Sequence, residues 1–211
     1  MRISAVWVLI SALCCAATSV LHASELAGIT QMRTLAKQLM HDGEYGEAIN
    51  TYQAIADAAF DDARAHYDLA AAMTFIQMYI DAQAPLARAR QLQPAQPRYH
   101  ALAALLHMQL GQDQGAFEAS LLGAKLGDSR AMFVLVGMYM GGRGVTRDAD
   151  LARSWLVRAA EAGHLGALDM LVRLHRDGTT GEGGLQAPVD KRLSSQWQTR
   201  MDKAEAALDQ G

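Results

Sequence analysis

The stretch AMFVLVGMYMGGRGVTRDADLARSWLVRAAEAG, residues 131–163, decides how the rest of the chain is read. Ala131, Leu135 and Tyr139 recur every four residues, and Gly142 and Gly144 then interrupt the pattern. Asp148 precedes a second run that carries Ala152, Trp155, Ala159 and Ala160, and Gly163 follows it. Helical periodicity on both sides of a glycine-rich break predicts a helix–turn–helix hairpin. Gly142 and Gly144 permit the left-handed backbone of a tight turn, and Asp148 is placed to cap the second helix. Trp155 is the large residue for which the small positions make room.

Working outward, Ala152 is the last rung of a ladder formed with Ala48, Ala82 and Ala116, at intervals of 34, 34 and 36 residues. A period of that size is the signature of stacked helical hairpins. The first unit, residues 29–62, places Met32, Leu35, Ala36 and Leu39 on one helix, breaks at Gly43-Glu44-Tyr45-Gly46, and resumes with Ala48, Ile49, Tyr52, Ile55 and Ala56. In the second, residues 63–96, Ala70 stands for Ala36, Ala82 for Ala48 and Leu86 for Tyr52, and Pro94 closes the unit because a helix does not run through proline. Its turn, Tyr79-Ile80-Asp81, has no glycine. The third, residues 97–130, repeats the register with Ala104, Gly111, Ala116 and Gly123. Small residues at these places let paired helices approach closely.

A fifth unit starts in phase with the fourth: Gly163, Ala167, Leu171 and Gly178 lie 36 residues after Gly127, Ala131, Leu135 and Gly142. Trp197 then follows Trp155 by 42 residues and Ser194 replaces Ala152, so six additional residues fall within 179–188, as a lengthened, flexible inter-helix turn. Residues 201–208 end a capping helix whose outer side is kept polar by Lys203, Glu205 and Asp209.

The motif Gly43-x-Tyr45-x-x-Ala48-x-x-x-Tyr52 and its in-phase copies resemble the tetratricopeptide repeat over residues 29–130. Residues 131–163 resemble the Sel-one-like repeat, a longer-turned relative, and 131–211 is read as one clear and one degenerate unit of that type with a C-terminal cap. The resemblance implies an all-α, right-handed superhelical solenoid, a fold that serves as a protein-binding scaffold.

Residues 1–23 stand apart. Arg2 is followed by an almost unbroken apolar run from Ile3 to Val20, and Leu21-His22-Ala23 leads into polar sequence. This is the layout of a signal peptide cut after Ala23; the other reading of the same segment is an uncleaved anchor. Cys14 and Cys15, the chain's two cysteines, lie within it, and neither follows the small residue that a lipidation site wants. Cleavage leaves no cysteine for disulfides, zinc–thiolate sites or a thiol nucleophile. It also leaves 18 basic against 22 acidic residues, net −4, which argues against nucleic-acid binding.

Few signals of chemistry survive inspection. Gly178, Gly181, Gly183 and Gly184 have the glycine content of a phosphate-binding loop, but follow a helix and lack its lysine. His66 and His100 stand one repeat apart, at a position of structural packing, and no two histidines stand three or four residues apart as a metal-binding pair on a helix would. No nucleophile–base arrangement is present. We therefore expect no enzyme, no cofactor and no metal.

Carried over residue by residue, the tetratricopeptide resemblance places Arg33, Lys37, Met40 and His41 on the concave face in unit one. Unit two contributes Arg64, Tyr67, Thr74 and Phe75, and unit three Arg98, Leu105 and Met108. A basic stripe with apolar and aromatic patches suits a protein partner with an acidic segment or C-terminus. Of these, Arg33, Lys37, His41, Arg64, Tyr67, Phe75 and Arg98 are the partner-binding candidates. The expected role is a periplasmic scaffold or adaptor of an envelope complex, in exopolysaccharide export, motility, secretion or signalling, with no membrane span after cleavage. The alternatives are a lipid-anchored structural subunit and, less favoured, a cell-wall-binding enzyme, because relatives of that kind rely on paired cysteines.

Overall fold

The computed structural model describes residues 26–180 and 184–208; the leader read over residues 1–23 and Asp209 lie outside them. Helices account for the described chain, with no strand among the described residues. A first helix, α1, covers residues 26–42. It is followed by α2 (Tyr45–Ala58), α3 (Ala63–Phe75), α4 (Gln83–Leu92), α5 (Pro97–Gln109), α6 (Asp113–Lys125), α7 (Ser129–Gly141), α8 (Ala149–Glu161), α9 (Leu165–Asp177) and α10 (Lys191–Leu208). Each helix packs chiefly on its sequence neighbours, and α3 also meets α5, as α5 meets α7. Helices α3, α5 and α7 thus form a continuous layer. The fold is an all-α repeat solenoid.

The alanine ladder is the tightest part of the packing. Ala48, Ala82, Ala116 and Ala152, together with Ala36 and Ala70, are completely buried. Each presents one methyl group to a neighbouring helix, so the backbones close to a distance that a larger side chain would prop open. Ser194 holds the same place on α10 and is also buried; its hydroxyl donates to the Val172 carbonyl at 3.1 Å, which removes the cost of burying it. Two apolar clusters run along the solenoid, one from Ala36 to Ala119 and the other from Ala124 to Leu185.

The turns repeat as regularly as the helices. Gly43 and Gly111 have φ of 83° and 69°, and the residue midway between them, Gln77, has φ of 65°. The second unit has therefore kept the left-handed turn while losing its glycine, at a steric cost that glycine avoids. Asp62 caps the start of α3, its carboxylate accepting from the Arg64 N–H, and Asp148 caps α8 as expected, accepting from the Asp150 and Leu151 N–H groups.

The long turn after α7 reaches back across the solenoid. Gly142 and Gly144 are left-handed, with φ of 67° and 68°. A Cβ on Gly144 would stand 2.2 Å from the Asp113 carbonyl oxygen at the start of α6, and Arg143 beside it pairs with the Asp113 carboxylate at 2.7 Å. Glycine is required twice here, for its φ and for the contact. Gly144→Ala should lower unfolding free energy by about 3 kcal/mol in denaturant melts, through the strained φ together with the backbone clash.

The expected flexible turn at 179–188 is corrected by its hydrogen bonds. Thr179 and Gln186 form an antiparallel bridge, the Thr180 N–H donates to the Leu185 carbonyl at 3.0 Å, and the Ala187 N–H to the Gly178 carbonyl at 3.0 Å. Arg153 on α8 donates to the Gln186 carbonyl. Leu185 is buried in the second cluster, so the described residues on either side of 181–183 form the base of a flap with an apolar anchor.

Candidate interaction groove

The odd-numbered helices share a sequence device. Arg64, Arg98 and Arg130 each occupy the second residue of their helix, in α3, α5 and α7. Their surroundings differ. Arg64 pairs with Asp68 one turn along at 3.7 Å, and Arg33 of α1 approaches the same carboxylate at 2.9 Å and Asp62 at 3.3 Å. Burial pushes the Asp68 carboxyl above its ordinary range, and the charges of Arg33 and Arg64 draw it back down.

Arg98 lies over two aromatic rings. Its guanidinium carbon is 5.1 Å from the Tyr67 centroid and 5.4 Å from that of Tyr99, and the rings stack 4.8 Å apart. Tyr99 is wholly buried and supplies the platform; Tyr67 is half-buried and faces the groove. Arg98 and Arg130 make no ion pair among the described residues, and both are exposed. They line one section of groove with Tyr67, Leu105, Met108 and Val134. Asp128 also lines it, with one carboxylate oxygen engaged by the Ala131 N–H at 2.8 Å.

Met108 and Val134 continue into the next section, where the side chains of α7 and α9 bound a cavity of about 550 Å³. Its walls are Met108, Met138, Met140, Met170 and Phe133, and Leu185 of the flap lines it as well. Phe133 is fixed from behind by His164, which stacks on it at 4.4 Å. His164 also caps α9, because its Nδ1 accepts the Ala167 N–H at 3.2 Å.

The seven residues expected from sequence are therefore distributed rather than gathered. Arg33 and Arg64 converge on Asp68, and Tyr67 and Arg98 form the stacked station. Lys37 and His41 are exposed on α1. Phe75 is 67% exposed but packs against Tyr45, with centroids 5.9 Å apart, two turns along α3 from Tyr67. Thr74 is buried and donates to the Ala70 carbonyl. Arg130, Phe133, Met140 and Met170 were not among the expected residues. Extended by one 34-residue unit, the position rule that selects Arg98 and Met108 points to Met132 and Gly142; Arg130 and Met140 take the corresponding places only because α7 starts at Ser129, which the structure decides. The histidines one repeat apart serve the loops between units: His66 Nε2 pairs with the Phe60 carbonyl at 2.9 Å and His100 Nε2 with the Pro94 carbonyl at 2.6 Å.

No protein-family model and no curated protein matches the sequence. Solved structures do. A Sel1 repeat protein from Oxalobacter formigenes is similar at 22% identity and a TM-score of 0.61, over 74% of this chain and 61% of that one. The fold is that of Sel1 and tetratricopeptide repeat proteins. MamA from Desulfovibrio magneticus RS-1 is similar at 15% identity and a TM-score of 0.55, over 86% of this chain and 97% of that one. YrrB, a tetratricopeptide protein with an unusual peptide-binding site, is similar at 16% identity and a TM-score of 0.53, over 83% and 85%. This chain spans about three-fifths of the Oxalobacter protein. Among its described residues no helix is long and apolar enough to cross a membrane, and no three potential metal ligands cluster.

Burial, then the nearby Arg130 charge, lowers the His164 pKa below its ordinary 6.5, with Asp128 opposing. A folded-state value below the unfolded one means that the unfolded chain takes up the proton first, so stability is full above pH 6.5 and falls as pH drops through the lowered value. Protonation also turns Nδ1 into a donor and ends the cap. The melting temperature should therefore fall between pH 7 and 5. His164→Asn, which caps without titrating, should show a shallower slope; parallel slopes would remove this role.

Proposed function

We propose that the chain is a protein-interaction scaffold that holds a segment of its partner in the groove along α3, α5 and α7. The observation that carries the reading is the pair of unpaired arginines, Arg98 and Arg130, beside an apolar wall that the chain leaves open. A cation held over two tyrosines is oriented without being neutralised, so it is ready to receive a carboxylate. Among the candidate residues, Tyr67 and Arg98 form the contact surface, with Lys37 and His41 extending it along α1. Arg33 and Arg64 act mainly through Asp68, whose carboxylate already answers their charge. The peptide-binding site named for YrrB, which shares the fold, supports the same use of this one.

The apolar segment Ile3–Val20 behind Arg2 supports export and a place in the periplasm, where the scaffold serves an envelope complex. The acidic complement is an acidic stretch or C-terminus of the partner.

The test is site-specific photocrosslinking in intact cells. Leu105 on α5 and Leu151 on α8 are similarly exposed, at 42% and 43%, and only Leu105 lines the groove. A photoreactive residue at 105 should capture a discrete envelope protein, and one at 151 should not. Arg98→Glu with Arg130→Glu should reduce the adduct at least tenfold, the order expected for losing charge-assisted contacts. Capture from 151 alone would overturn the groove assignment.

A further inference from the structure

The groove has a second section whose chemistry differs from the first, and the two together specify an occupant. We propose that the methionine-walled cavity between α7 and α9 is an anchor pocket for an amphipathic helix of the partner. That helix presents two bulky apolar side chains one turn apart and a carboxylate two turns away. The proposal rests on the reading that the groove holds a protein segment, and adds what that segment must look like.

Three observations carry it. The first is size and lining. A dry cavity of roughly 150 Å³ already accommodates benzene, so about 550 Å³ takes more than one leucine- or phenylalanine-sized group. Methionine walls adapt to whichever apolar group enters, because the thioether chain is flexible and polarisable. The one cation at the rim, Arg143, is committed to Asp113 through two N–H donors at 2.7 and 3.1 Å. The cavity itself therefore selects apolar groups.

The second is charge complementarity at a defined distance. The free cations lie in the adjoining section, and Met108 and Val134 belong to both. Arg130 precedes Gly137, in the cavity wall, by seven residues on α7. At a rise of about 1.5 Å per residue this is roughly 10 Å. A helix lying alongside α7 spans that distance in two turns, which fixes the offset between carboxylate and apolar pair. Asp128 has one oxygen engaged in its cap, so two cations face one carboxylate and the section retains a net positive charge.

The third is Gly137. It is exposed in mid-helix, has ordinary helical φ, and a Cβ there would meet nothing within 4 Å. Glycine in a helix interior costs about 1 kcal/mol relative to alanine, and no contact within the chain uses the missing side chain. A bare backbone at the cavity mouth lets a partner helix approach closely.

The experiment is selection of peptides from a displayed library of randomised 18-residue helices on the full-length protein, followed by fluorescence anisotropy with the winners. Winners should share two of Leu, Met or Phe at i and i+3 or i+4, with Asp or Glu two turns away. Gly137→Leu, which fills the mouth, should weaken them at least tenfold, and Arg130→Glu likewise. Gly137→Ala should stay within threefold, and circular dichroism should show all three variants folded. Winners without this pattern, or indifferent to Gly137→Leu, overturn the anchor pocket and leave the scaffold reading standing. Failure to select any peptide counts against both. Saturable binding of oleate that Gly137→Leu blocks, with no peptide competing, would assign the cavity to an acyl chain. Concentration-dependent dimerisation abolished by Gly137→Leu would assign it to a second copy of this chain. Either result overturns the proposal.

Discussion

Contact between backbones across a single methyl group is the interaction on which this structure depends. At Ala36, Ala48, Ala70, Ala82, Ala116 and Ala152 no surface is left to solvent, and a larger side chain there would have to displace a neighbouring helix rather than turn aside. The consequence extends beyond each pair. In a solenoid every unit buries its apolar face against the next, so an error of spacing in one hairpin is passed to its neighbours. The large side chains that fill the remaining hollows, among them Tyr52, Tyr99 and Trp155, fit because those distances are set.

A second constraint follows. Helices locked on both sides by their neighbours still leave one face of the odd-numbered helices without an intramolecular partner, and the polarity of that face changes along its length. At its start the charges answer one another around Asp68. In the middle they remain open, with Arg98 held above Tyr67. Towards the end they give way to methionine, phenylalanine and leucine. The flap between α9 and α10 is part of this gradient, because Leu185 lies in the second core cluster and lines the cavity at the same time. An ordered connection there costs backbone entropy, which the hydrogen bonds to Gly178, Arg153 and Leu185 help to offset.

Much of this architecture was legible. Gly142, Gly144, Asp148, Trp155 and the alanines have the roles their spacing implied, because turn chemistry, capping and helical periodicity are local and act through neighbours three or four residues away. The flap was misjudged for the opposite reason. Gly178 and Thr180 are bonded to Ala187 and Leu185, and Arg153 to Gln186, through contacts that composition does not announce. Gln77 belongs with it: a left-handed residue without glycine is maintained by the packing of the unit around it, not by its own preference.

The candidate site divides along the same line. Sequence alone determined that there are helices, where they turn, which positions are small, and that arginine recurs at the second residue of helices on one face. It could not determine which arginines remain free, since Arg33 is neutralised by an acid 35 positions away that only stacking brings to 2.9 Å. Nor could it show that Met140 and Met170 would border an open cavity beside Met108. Periodicity says which side of a helix is apolar. Whether another helix covers that side depends on where the next unit sits, and that is decided by tertiary packing.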